Sequence, residues 1–214
     1  MFRKLESSDA PALGMAMRDG NITETTTFEP PARTSDEGTE RALIRIAEFS
    51  DHWCRHGYGI FGAFERNTER FIGYCGPRHL DEFDGDLHIS TMVDRPYWFT
   101  GMGWEIFRRI LEYAFLELEF PDVYGTTRTF HHQGVHIMET CGFIRQPDRK
   151  LRDWPVRYYI CPREAFLAKH VILLNQRLSD MDKDRDEGLS SNSRPTDASS
   201  INNIASPAKQ KTPI

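Results

Sequence analysis

"PYWFTGMGWEIFRRILEYAF", residues 96–115, sets two glycines, Gly101 and Gly103, at the mouth of a strongly amphipathic helix. Ile106, Phe107, Ile110, Leu111, Ala114, Phe115 and, just beyond, Leu118 keep the i, i+3, i+4, i+7 spacing that turns one helical stripe toward a core. Glycine costs about 1 kcal/mol relative to alanine inside a helix. Bare backbone at this mouth therefore serves something other than helix stability. The amides of Thr100, Gly101, Met102, Gly103 and Trp104 would converge at a helix N-terminus, where orphan donors and the positive dipole end favour an anion such as a pyrophosphate.

The flanking chain supplies a sheet for that helix to pack on. "YGIFGAFER" and "RFIGYCG", joined by "RNTE", read as an antiparallel hairpin, and "DLHISTMV" follows as a third strand after the turn-rich "DEFDGD". Beyond the helix, "DVYGTTRT" is a strand, "QGVHIMETCG" a short helix closed by Gly142, and "VRYYIC" a strand leading to a helix at "PREAF". Upstream, helices are expected from about Asp9 to Met17 and from about Glu37 to His56, with Gly57 as the stop. Residues 19–39 and 144–154 read as loops. The sum is a mixed α/β domain.

The tail bounds the folded unit. No aromatic residue follows Phe166, and "SDMDKDRDEGLSSNSRPTDASSINNIASPAKQKTPI" is too poor in apolar area to offset its ordering entropy. The expectation is one domain over 1–178 and a disordered polar tail over 179–214. A net charge of −5 without a basic block leaves no electrostatic footprint for nucleic acid. Cys54, Cys75, Cys141 and Cys161 are widely spaced and suit reduced thiols, and no stretch approaches eighteen apolar residues, so no membrane partner and a cytoplasmic location are expected. No GxSxG, Walker A or dinucleotide fingerprint is present. His132 and His136 lie four apart but lack a third ligand, so no metal is expected.

Three stretches in register carry a resemblance: "HWCRHGYGIFGAFERNTERFIGYCG" (52–76), "YWFTGMGWE" (97–105) and "HIMETCGF" (136–143). In order and spacing the chain resembles the GNAT acetyltransferase superfamily, and within it the RimJ/RimL-like N-acetyltransferases, from about "LESSDAPAL" to "PREAF". The resemblance implies a mostly antiparallel central sheet of about six to seven strands flanked by helices. It also implies that the fourth and fifth strands splay apart to form an acyl-CoA cleft. Acetyl-CoA would be the co-substrate, with its pantetheine along Met92 and Val93 and its pyrophosphate on Thr100, Gly101, Met102 and Gly103. A primary amine, on a protein N-terminus or a small molecule, would attack the thioester directly.

Four positions depart from the branch pattern. Phe99 stands where it has Gly, Thr100 where a basic or long polar residue is usual, His131 where it has Asn and Gly134 where it has Ser. A phenylalanine held at positive φ would be strained. Gly134 removes a hydroxyl that can reprotonate the leaving thiolate, which puts forward His131 or His132, since imidazole titrates in the working range. On the strand "DLHISTMV", His88 aligns with a recurrent carboxylate and is the candidate base, with Asp86 beside it. The alternative reading is a catalytically weakened relative that keeps the fold as a binding or interaction module.

Overall fold

Helix α1 (Ala10–Ala16) and helix α3 (Ser35–His56) lie near the start of the chain, and local chemistry sets their ends. The Thr34 hydroxyl accepts the Glu37 amide at 3.1 Å, and Gly57 closes α3 at φ 75°. The two helices touch through glycines. A methyl at Gly14 would sit 2.6 Å from the Gly38 carbonyl carbon, and one at Gly38 would sit 2.5 Å from the Gly14 carbonyl oxygen. Gly14→Ala is therefore expected to part α1 from α3 and lower stability by about 1–3 kcal/mol. A thermal midpoint unchanged from that of the parent would disprove the contact's importance.

The computed structural model describes residues 1–170. The end of the domain expected at 178 and the tail expected over 179–214 lie outside the described residues. Among the described residues seven strands form one sheet: β1 (Phe2–Arg3), β2 (Phe61–Phe64), β3 (Phe71–His79), β4 (Leu87–Val93), β5 (Asp122–Arg128), β6 (Ile144–Leu151) and β7 (Trp154–Pro162). Their order is β1-β2-β3-β4-β5-β7-β6, and every neighbouring pair is antiparallel except β4–β5. Between β4 and β5 runs α4 (Met102–Glu112), prolonged by a π-turn over Tyr113–Glu117, and between β5 and β6 runs α5 (His132–Thr140). Residues 163–170 are helical.

Each sheet face is packed. Leu87, Ile89 and Val123 lie against Ile106, Phe107, Ile110 and Leu111 of α4, the stripe read from its spacing. On the other face Tyr74 and Met92 lie against Leu13, Ile46 and Phe49 of α1 and α3.

Two stretches read as loops are ordered differently. Within 19–39 the chain forms a helical turn, α2 (Gly20–Ile22), and a π-turn over Thr23–Thr27, and α3 starts at Ser35. Thr25 and Thr26 donate their hydroxyls to the Asn21 and Ile22 carbonyls at 2.7 and 2.6 Å, which lets a threonine-rich run stay helical. Residues 144–151 are the edge strand β6, whose exposed polar residues and break in register between Gln146 and Arg149 hide it from pattern reading.

Phe28 ends the π-turn at φ 58°. It is held from below by the buried Arg128 of β5, whose guanidinium also lies 4.1 Å from the Trp154 ring and 5.1 Å from that of Phe130. Stacking on three rings stabilises a desolvated cation here.

Candidate active site

Strands β4 and β5 share one residue pair, His88↔Tyr124. Beyond it they part, and Ile89 to Val93 keep a partner only on β3. A cavity of about 700 Å³ passes through this gap and reaches both faces of the sheet. On the α4 side it is lined by Val93, Gly101, Gly103, Trp104, His131 and Ile137. On the other it is lined by Arg78, His88, Ser90, Thr126 and the Thr25–Thr27 turn.

Backbone donors collect at the α4 mouth. Gly101 holds the N-cap at φ 85°, a left-handed value that suits glycine, and its carbonyl accepts the Glu105 amide at 3.1 Å. Met102 donates to the Thr100 hydroxyl at 3.4 Å, and that hydroxyl donates to the Tyr97 carbonyl at 2.7 Å. The amides of Gly103 and Trp104 have no acceptor among the described residues. Gly101 and Gly103 thus line the cavity, whereas Thr100 props the turn and the Met102 side chain faces a different depression. Phe99 is indeed at positive φ, 61°, and the residue is 82% exposed, so it stands at the rim of the cavity and does not plug it.

Val93 lines the cavity, but its carbonyl accepts the Trp98 indole N–H at 2.8 Å, and the Met92 side chain is buried in the α1–α3 core. The Met92 carbonyl faces β3, pressed against the place where a Cβ on Gly73 would stand, so of the two residues it is Val93 that borders the parted side of β4. The tryptophan that fixes the edge was not assigned a role from sequence.

His88 is 1% exposed and lies among the rings of Phe83, Tyr124 and Tyr158, at centroid distances of 4.8, 5.9 and 5.8 Å. Neither ring nitrogen has a partner among the described residues. Burial, then the charges of Arg78 and Arg149, push its pKa down from 6.5 to about 3, so the ring is neutral at pH 7. Between pH 6.5 and 3 the unfolded chain binds the proton better, so this stability is whole above 6.5 and is lost on acidification. Unfolding midpoints should fall from pH 7 to pH 5, at up to about 1.4 kcal/mol per unit from this group. His88→Phe should flatten the slope, leaving the part due to His52 and His131, which burial also lowers. An unaltered slope would refute the attribution.

His131 precedes α5, and its Nδ1 lies 3.1 Å from the Thr127 hydroxyl of β5. A Cβ on Gly134 would stand 2.7 Å from both of those atoms. The glycine is therefore coupled to the histidine, whose ring takes the space a serine would fill. Burial, then His132, lowers the pKa of His131.

The cysteines are free, and burial raises the thiols of Cys75, Cys141 and Cys161 to about 12, which leaves no activated nucleophile among these three. Among the described residues no cluster of three or more His, Cys, Asp or Glu is arranged to hold a metal, and no helix is long and apolar enough to cross a membrane.

A parallel strand pair parted beside an open helix mouth leaves an elongated cleft through the sheet. The family model of the acetyltransferase (GNAT) domain matches residues 1–144, and the chain belongs to the GNAT acetyltransferase family. An uncharacterized N-acetyltransferase of Bacillus licheniformis is 22% identical over 153 residues, covering 72% of this chain and 82% of the relative. The fold is also that of a spermidine N-acetyltransferase from Vibrio cholerae solved with CoA and spermine. The two share 18% identity at a TM-score of 0.61, over 78% of this chain and 97% of that one. An acetyltransferase from Agrobacterium tumefaciens aligns at a TM-score of 0.63 with 18% identity, over 74% and 88% of the two chains.

Proposed function

We propose that the protein is an acetyl-CoA-dependent N-acetyltransferase of the RimJ/RimL-like branch, acting on a primary amine by direct transfer. The cavity that threads the sheet carries this reading, because it joins an amide-lined helix mouth on one face to a polar floor on the other. The free amides of Gly103 and Trp104, with Gly101 keeping the turn open, fit a pyrophosphate. Of the Met92–Val93 pair expected to carry the pantetheine arm, Val93 borders the gap and would offer its amide, its carbonyl being held by Trp98, while Met92 supports the strand from the core. The coenzyme, when bound, supplies a thioester carbonyl open to a neutral amine.

The remaining chemistry belongs to the chain. Neutral His88 borders the cavity, but its ring nitrogens are buried and its pKa near 3 makes it too weak a base to strip an ammonium efficiently, so the base role expected of it passes to His131. His131, neutral and with Nδ1 beside Thr127, has Nε2 to take the proton the acceptor nitrogen releases and to act as proton source on the leaving side. His131 thus stands in for the hydroxyl absent at Gly134.

Calorimetric titration with acetyl-CoA followed by a thiol-release assay with an amine panel tests this. Binding with turnover supports it. Binding without turnover favours the alternative of a GNAT-fold binding module, and neither signal at millimolar coenzyme refutes the transferase reading.

A further inference from the structure

The cavity end opposite the α4 mouth holds one arginine that no carboxylate pairs among the described residues, a feature that does not suit a polyamine. Among the described residues it is lined by three arginines, Arg45, Arg78 and Arg152, against one carboxylate, Glu82, in a chain whose net charge is −5. Arg45 is neutralised by Glu29 at 2.8 Å and Glu48 at 3.6 Å. Arg152 approaches Glu29 at 3.5 Å and Glu82 at 3.9 Å. Arg78 differs. Its Nε donates to the Ser90 hydroxyl at 2.9 Å, and its two terminal nitrogens have no hydrogen bond or ion pair among the described residues.

Its surroundings explain what the free fork is aimed at. Arg78 faces His88 across the β3–β4 ladder, on the sheet face that forms the cavity floor. Tyr74, four residues before it on the same strand face, also lines the cavity, with a hydroxyl that has no partner among the described residues. Burial pushes the Arg78 pKa down, as does nearby Arg45, while Tyr74, Glu48 and Glu82 push it up. A desolvated guanidinium with two idle donors binds a carboxylate in a forked pair. The β4–β5 gap opens one strand beyond, after His88, and the Arg78 Nε lies 2.9 Å from the hydroxyl of Ser90, a β4 residue in the parted stretch, so an anion on the guanidinium sits beside the gap. Amine and anion are therefore separated by only a few bonds.

We infer that the acceptor is an amino acid: its carboxylate is held by Arg78, with the Tyr74 hydroxyl beside it, while its amine points past His88 into the gap. This rests on the N-acetyltransferase reading for the transfer itself, but the carboxylate site stands on the charge and geometry alone. Spermine, the ligand in the Vibrio cholerae structure, would bring cations to a cation.

The test compares L-amino acids, their carboxamides and spermidine. In the thiol-release assay, carboxylate-bearing amines should surpass their carboxamides by about 30- to 100-fold in kcat/KM, chiefly through KM. Arg78→Met should reduce that preference to a few-fold without altering the calorimetric Kd for CoA, and Tyr74→Phe should weaken it less. Carboxamides or spermidine equal to or better than the amino acids in the parent enzyme would overturn the inference, with no variant needed. If no amine turns over, calorimetry of the same amino acids against CoA-saturated protein decides. Binding that Arg78→Met abolishes upholds the carboxylate site while the transferase reading fails, and no binding overturns the site.

Discussion

Gly103→Pro should weaken CoA binding by about 10- to 100-fold while the protein still folds. The substitution deletes one of two amides that have no acceptor among the described residues, and a proline in the first helical turn forfeits no intrahelical bond. A hydrogen bond to a charged partner contributes about 1.5–3 kcal/mol, and that range sets the expected factor. Gly103→Ala is the control. Its methyl would meet only the ends of Ile137 and Val93 at 3.6 and 3.7 Å, so the donor remains and nothing is displaced on the protein side. Calorimetric Kd values for the two variants, with circular dichroism to confirm folding, check this. Equal affinities would mean that the Gly103 amide does not touch the coenzyme.

The second large effect concerns a pair of residues. Gly134→Ser alone should cost about 100-fold or more in kcat, since its Cβ would press on His131 Nδ1 and Thr127 Oγ1 at 2.7 Å and drive the proposed proton carrier from its place. His131→Asn alone should cost a similar factor by removing that carrier. Together the two changes put a hydroxyl where the ring was, so the double variant should recover most of the loss, a coupling far from additive. Losses that simply multiply would show that the two positions act independently. Loss of the pH dependence of kcat in His131→Asn distinguishes a proton-carrying role from a packing role.

The sequence carried more of the scaffold than of the site. Helix α4 was legible because Ile106, Phe107, Ile110 and Leu111 repeat with the helical period and bury as a stripe. The hairpin and β4 showed the short runs of strands. Edge strand β6 did not, because Arg145, Gln146 and Lys150 face solvent and nothing there alternates. The 23–27 turn was missed because threonine side chains bonding back to the preceding turn have no periodic signature. Backbone logic alone put Gly101 and Gly103 at the α4 mouth, where they line the cavity, and the coenzyme role drawn from it is the proposal tested above. Arg78 was not, since a free arginine differs from a paired one only through partners distant in the chain. Thr127 and Trp98 escaped for the same reason: one acts through His131 and the other through the Val93 carbonyl.

The lone rung between β4 and β5 has a wider consequence. Where the sheet comes unzipped is set by main-chain divergence after His88, so the proposed berth for an acyl carrier would be built of backbone rather than of particular side chains. Residues contributed by β3, α3 and the 25–28 turn can then be exchanged to suit one acceptor or another while the berth stays where it is. A scaffold so partitioned lets selectivity drift without endangering the chemistry.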